Sequence, residues 1–110
     1  MVEQGDIIWL SFDPQIGHEQ KGRRPALVVS NKTFNNFSDL AIVCPITNTN
    51  KRHPFHIKLD KRTKTTGVIL SDQARTLYIN ARNYEFIEKI PDDILWDVID
   101  LISGFVEMDN

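Results

Sequence analysis

The stretch DIIWLSF, Asp6 to Phe12, is a β-branched and aromatic run that stops at Asp13-Pro14, as a strand closed by a turn does. A polar segment bounded by Gly17 and Gly22 follows, and then ALVVS, Ala26 to Ser30, a second strand. LAIVCPI, Leu40 to Ile46, is the most strand-like segment of the chain. Pro45 cannot donate to a ladder, so it places this strand at an edge, or near its end at that point. FHIKL (Phe55 to Leu59) alternates with period two, and GVILS (Gly67 to Ser71) is a further short strand. Asn31 to Asp39, rich in Asn and Ser, reads as a turn or short helical connection. Near the C-terminus the period changes. In PDDILWDVIDLISGFVE, Ile94, Leu95, Val98, Ile99, Leu101, Ile102 and Phe105 recur at helical spacing. Pro91, Asp92 and Asp93 suit the start of that helix, Asp92–Phe105, through fixed φ and the helix dipole. Short strands closed by one helix predict a mainly β domain, a small, partly closed barrel or curled sheet, and not a βαβ layout. No repeat, low-complexity tract or linker divides residues 1–110, which are read as one domain.

The composition agrees with a folded, water-exposed domain. Hydrophobic residues make up 41% and charged residues 25%, which excludes wholesale disorder. No run of about 18 apolar residues is present, so no spanning helix and no membrane association is expected. MVEQGDIIWL has neither the basic segment nor the long apolar core of a secretory signal. The lone Cys44 rules out an internal disulfide and suits a reducing compartment. The expected location is the cytoplasm.

The net charge of −2 is unevenly spread. Residues 20–75 carry eleven Lys/Arg against Asp39, Asp60 and Asp72, whereas residues 76–110 carry Arg82 and Lys89 against eight acids. An asymmetry of this kind can build a basic face on an acidic protein. The densest cluster is GHEQKGRRPALVVS, Gly17 to Ser30. Lys51, Arg52, Lys61, Arg62 and Lys64 read at least as well as solvation of loops.

Several chemistries find no support in the residue pattern. His53 and His56 are three apart across a loop and a strand, a spacing that puts them on opposite faces, and Cys44 has no companion, so no metal site is expected. No G-K-[ST] follows Gly22 and no G-x-S-x-G elbow occurs. What remains is arginine, hydroxyl and carboxylate. Arg24 precedes Pro25, which biases it to extended geometry at a strand entrance. A guanidinium held there offers a planar fork of donors to a phosphate and to the charge it gains in reaction. Thr47 follows CPI and can donate to a phosphoryl oxygen, while Glu19 and His18 are candidate proton acceptors. Together, in a basic region, these residues point to an anion site.

The segments GDIIWLSFDP, GHEQKGRRPALVVS, IVCPITN and GVILSDQARTL resemble, in order and spacing, the MazF/PemK toxins of bacterial toxin–antitoxin systems. The G-x-E-Q-x-G-x-R-P string is the most specific part, and the match runs from Gly5 to about Arg82. The resemblance implies an SH3-like small β-barrel of the PemK/CcdB type with a C-terminal helix, assembled as a homodimer. It implies a sequence-selective endoribonuclease that cuts single-stranded RNA, chiefly mRNA, and arrests translation. It also implies a cognate MazE/PemI-like antitoxin that lays a disordered tail over the RNA groove, with DNA met only through that complex. Cleavage is expected without metal or cofactor, by 2′-hydroxyl attack to a 2′,3′-cyclic phosphate. Arg24 and Thr47 correspond to the family's catalytic arginine and threonine, with Glu19 a candidate base and His18 in support. Gln20, Lys21, Arg23, Asn48, Asp72, Gln73 and Arg75 are the expected RNA contacts. In the PemK/Kid branch a histidine, an arginine and an aspartate are assigned instead; His18 and Asp72 match, but the arginine's position holds Leu70.

Two other classes share the fold or the groove: a CcdB-like poison of DNA gyrase, and a catalytically weak RNA-binding module. The G-x-E-Q-x-G-x-R-P loop argues against the first, since a gyrase poison has no need of it. The wide apolar arc of the last helix suggests that one face covers the sheet and another meets a second subunit.

Overall fold

The computed structural model describes residues 1–13, 22–49 and 53–110. His18, Glu19, Gln20 and Lys21 lie outside the described residues, as do Lys51 and Arg52. Seven strands form one antiparallel sheet: β1 (Asp6–Ser11), β2 (Arg23–Val28), β3 (Ala41–Thr47), β4 (His56–Lys58), β5 (Val68–Leu70), β6 (Arg75–Leu77) and β7 (Glu85–Lys89). Their order is β4-β5-β3-β2-β1-β7, with β6 paired to β3 beside β5. Helix α1 (Lys32–Ser38) joins β2 to β3, and α2 (Asp92–Phe105) closes the chain. Two 3₁₀ turns, Ser71–Gln73 and Ile79–Arg82, flank β6. This is the mainly β class with a C-terminal helix.

The DIIWLSF run is apolar at consecutive positions because both faces of the sheet are covered. Ile8, Leu10 and Phe12 join Ala26, Val28 and Val43 in one core, while Ile7 joins Leu27, Cys44, Ile46 and Ile69 in a second core on the opposite face. Helix α2 seals the second core through Ile94 and Val98, one turn apart. Leu95 and Ile102 pack half-buried against the same core, while Trp96 is 65% exposed and Phe105 41%. Helix α1 starts at Asn31, whose Oδ1 accepts from the Phe34 N–H at 3.0 Å. It is tied inward by the fully buried Asn35, which bonds Ser30 and the Val2 carbonyl.

Pro45 meets the second of its two expected placements: β3 is no edge strand, and the proline sits near its end. It lies in the middle of the sheet, within β3. Val29 N donates to Ile42 O at 2.9 Å, so residues 29 and 42 form a hydrogen-bonded pair. By alternation, Ala26–Pro45 is then a non-hydrogen-bonded pair. The Pro45 nitrogen therefore faces away from β2, toward the gap where β3 gives up β6 at Val43 and takes β5 at Ile46. A central strand tolerates this proline because no neighbour asks for its donor.

Candidate active site

Strand β2 begins at Arg23, three residues earlier than the apolar run suggested, and this places both arginines on the sheet. Arg24 pairs with Leu10 of β1. On its other side the ladder to β3 ends at Ala26–Pro45. The next pair, Pro25 with Ile46, would be a hydrogen-bonded one, and Pro25 has no N–H to give. Arg24 lies two residues past Ala26 on β2, and Thr47 two past Pro45 on β3. Period two then puts Arg24 and Thr47 on the same face as Ala26 and Pro45, at the end of the first core.

Thr47 is buried and is held from the far side by its pairing with Val68. Its Oγ1 accepts from the Thr49 N–H at 3.2 Å and its hydroxyl donates to Thr49 Oγ1 at a long 3.3 Å. That second bond is weak enough to be exchanged for a phosphoryl oxygen. A cavity of about 470 Å³ opens beside it, with Thr47, Asn48, Lys58, Lys61 and Gly67 in its wall. Asn48 Oδ1 accepts from the Thr66 hydroxyl at 3.0 Å. Gly67 has φ +116°, and a Cβ there would sit 2.3 Å from the Thr47 carbonyl oxygen. Only glycine lets β5 approach this closely.

The loop before Gly67 is pinned from β7. Glu88 accepts from Lys64 N at 3.1 Å, Thr65 N at 2.8 Å and Thr65 Oγ1 at 2.8 Å. Partial burial alone would raise its pKa, but these three bonds outweigh it and hold the carboxyl below the usual range. Arg62 is consumed structurally: it bridges Asp60 at 2.8 Å and Asp93 at 2.9 Å. Its hydrogen bonds lower both carboxyl pKa values. The loop-solvating reading therefore does not describe Arg62, which ties the β4–β5 connection to the start of α2.

The remaining expected contacts divide between the two faces. Arg75 pairs with Val43 and so shares the face of Thr47. Its Nη1 donates to the Phe12 carbonyl at 3.5 Å, with the guanidinium 5.9 Å over the Phe12 ring. Arg23 points to the opposite face, donating to Asn83 O at 2.7 Å and pairing with Glu85 at 3.4 Å. Alternation along β2 separates it from Arg24. Asp72 and Gln73 lie in the 3₁₀ turn after β5, where Asp72 Oδ1 is 3.5 Å from His56 Nε2. Cys44 is no nucleophile: burial, reinforced by the negative charge of Asp72, pushes its thiol up to about 12. The ends of the β1–β2 connection meet beside this site, Phe12 N donating to Gly22 O and Gly22 N to Asp13 Oδ1, both at 2.9 Å. Arg82 grips the same corner through the Asp13 carbonyl at 2.8 Å.

The family model for PemK-like, MazF-like toxins of type II toxin–antitoxin systems matches residues 3–104. The chain belongs to this family. Over 106 residues it is 38% identical to the endoribonuclease PemK of Escherichia coli, covering 93% of this chain and 80% of that protein. The crystal structure of MazF (Form-I) from Deinococcus radiodurans gives a TM-score of 0.91 at 37% identity, over 97% of both chains. A MazE–MazF complex (Form-III) from the same organism gives 0.85 at 34% identity, over 98% of both. The family implied by the G-x-E-Q-x-G-x-R-P string is thus the one found, and its named relatives are endoribonucleases.

Within this PemK/MazF toxin, residue types alone did not indicate Lys58, Gly67, Glu88 or Arg82. Gly67 was legible in principle, as a glycine directly before an apolar strand. Glu88 was not, because an acid on an exposed strand gives no sign of which backbone it holds. Among the described residues, no helix is long and apolar enough to cross a membrane.

Proposed function

We propose that this chain is the toxin of a type II toxin–antitoxin pair and cleaves single-stranded RNA, chiefly mRNA, without a metal ion. The observation that supports the reading is that Arg24 and Thr47 fall on one face just past the end of the β2–β3 ladder, with Thr47, Lys58 and Lys61 in the wall of one cavity. The attacking group is the substrate's own 2′-hydroxyl. The protein must then stabilise charge on the crowded phosphorus and pass protons, and it needs no nucleophile of its own. Arg24 offers two parallel donors to the phosphoryl oxygens, and the Thr47 hydroxyl offers a third. One preorganised donor of this type contributes about 3–4 kcal/mol in the transition state. Glu19 or His18 is the proposed base, and Arg75, Asn48 and Gln73 are proposed to guide the strand.

The proposal includes a homodimer and an antitoxin. The exposed Trp96 and Phe105 of α2 give a second subunit an apolar face, and the similarity to the MazE–MazF complex supports a MazE-like partner. Action on mRNA places the toxin in the cytoplasm.

The test is incubation of the pure protein with single-stranded RNA in EDTA, beside an all-deoxy oligonucleotide of the same sequence. RNA should be cut and DNA left intact, with cyclic phosphate ends. Equal cutting of the deoxy strand would remove the 2′-hydroxyl mechanism, and activity restored only by added metal would remove the metal-free one.

A further inference from the structure

His53 and His56 were expected on opposite faces of a strand, and the structure places them together. The strand begins only at His56. Before it, His56 N donates to His53 O at 3.0 Å and Phe55 N donates to His53 Nδ1 at 3.2 Å. This turn folds His53 back, so the two imidazoles stack with centroids 4.7 Å apart at 29°. Ser71 N donates to Phe55 O at 3.2 Å, which carries the next turn, and Asp72 with it, against the same spot. Three ligands from two separate segments converge: one donor atom each of His53, His56 and Asp72 lie within 4.8 Å of one another.

We propose that His53, His56 and Asp72 bind a divalent transition-metal ion of the zinc class. Two imidazoles and one carboxylate are a donor set that zinc accepts, with a fourth position left to water. Ligands 2.0–2.1 Å from a tetrahedral zinc stand about 3.3 Å apart. The His56 Nε2 to Asp72 Oδ1 separation of 3.5 Å is long for a hydrogen bond and close to that edge. His53 completes the set after a shift of up to about 1.5 Å, within reach of a rotamer adjustment in an exposed side chain on a turn. Among the described residues, His56 Nδ1 is buried without a hydrogen-bond partner, so the imidazole is not locked in place by a second bond. The aromatic surroundings are preformed: Phe55 lies edge-on to His53 at 5.1 Å and to Phe105 of α2 at 4.7 Å. Bound metal would join the β4 turn to the turn after β5, and it would neutralise Asp72. The site does not rest on the ribonuclease reading and supplies none of its chemistry.

Metal-stripped full-length protein is titrated with Zn²⁺ alone by calorimetry, and its melting temperature is followed as zinc rises. One equivalent should bind, with a melting temperature that climbs with free zinc. His53→Ala and Asp72→Asn, both at exposed positions, should keep the fold and each weaken binding by at least about tenfold. Co²⁺ in place of zinc should give a visible absorption band that disappears in both variants. Glu3→Gln, whose carboxylate pairs with Lys89, should bind as the parent does. No binding at about 100 μM zinc, affinity unchanged in both variants, or loss of binding in Glu3→Gln would overturn the site; the first of these would leave His56 beside Asp72 with no metal role.

Discussion

Replacing Gly67 by alanine should damage the fold and the chemistry together, and the size of the effect follows from the local geometry. The backbone there sits at φ +116°, where an L side chain is strained by about 1–3 kcal/mol. The new Cβ would also stand 2.3 Å from Thr47 O, 2.8 Å from Thr47 C and 3.1 Å from Asn48 Oδ1. Backbone atoms are the first two obstacles, so relief requires β5 and the end of β3 to part by about 1 Å. That parting breaks the Thr47–Val68 pair. Together the cost is about 3 kcal/mol or more, in the range of severe single substitutions, and it should lower the melting temperature by about 12 °C. The displaced atom belongs to Thr47 itself. A misplacement of 1 Å in catalytic machinery costs about 10²-fold in rate, so cleavage should fall further than the folded fraction does. The assay is thermal melting followed by RNA cleavage at a temperature where the variant is still folded. Melting within about 2 °C of the parent, or full cleavage by the folded variant, would refute the claim that this close approach positions Thr47.

Gly104→Ala is the matching control: its Cβ would meet nothing within 4 Å on α2, so melting should rise by a few degrees, from about 0.5 kcal/mol of helix propensity. Arg24→Lys should lose about two orders of magnitude in RNA cleavage with melting unchanged, because a point charge replaces a two-pronged donor; cleavage within threefold of the parent would move the catalytic charge elsewhere. Glu88 titrates below its usual range in the folded chain, so its contribution is present above the ordinary carboxylate pKa and fades as pH falls through the lowered one. Glu88→Gln should therefore cost about 1–2 kcal/mol at pH 7, and the difference from the parent should shrink under acid unfolding; a difference that stays constant to pH 3 would discard that linkage.

How much of this was readable beforehand depends on which face a residue serves. β1, β3 and α2 announced themselves because both sheet faces and one helix stripe are apolar. β7 did not: EFIEK places Glu85 and Phe86 in solvent on an edge strand, and charged edges look like loops. β6 is only three residues long, Arg75–Leu77, too short for any period to show. Arg23 and Arg24 are adjacent in sequence and seemed one cluster, yet a strand sends neighbours to opposite faces. Conversely, His53 and His56 seemed separated by that rule, and a turn set it aside. The proposed catalytic pair was suggested by family resemblance; residue types indicated only an anion site.

The two prolines mark the end of the β2–β3 ladder, and the proposed pair lies just beyond it. The β2–β3 ladder runs as far as Ala26–Pro45, and Pro25, which has no N–H, follows just before Arg24. Each residue is nevertheless fixed from its other side, Arg24 by Leu10 of β1 and Thr47 by Val68 of β5. Leu10 lies in the first core, while Ile46 and Ile69, the strand neighbours of Thr47 and Val68, lie in the second on the opposite face. Removing either side chain leaves the anchorage of the other intact. A loss of cleavage in Arg24 or Thr47 variants that still melt like the parent therefore measures chemistry at the phosphate rather than collapse of the sheet.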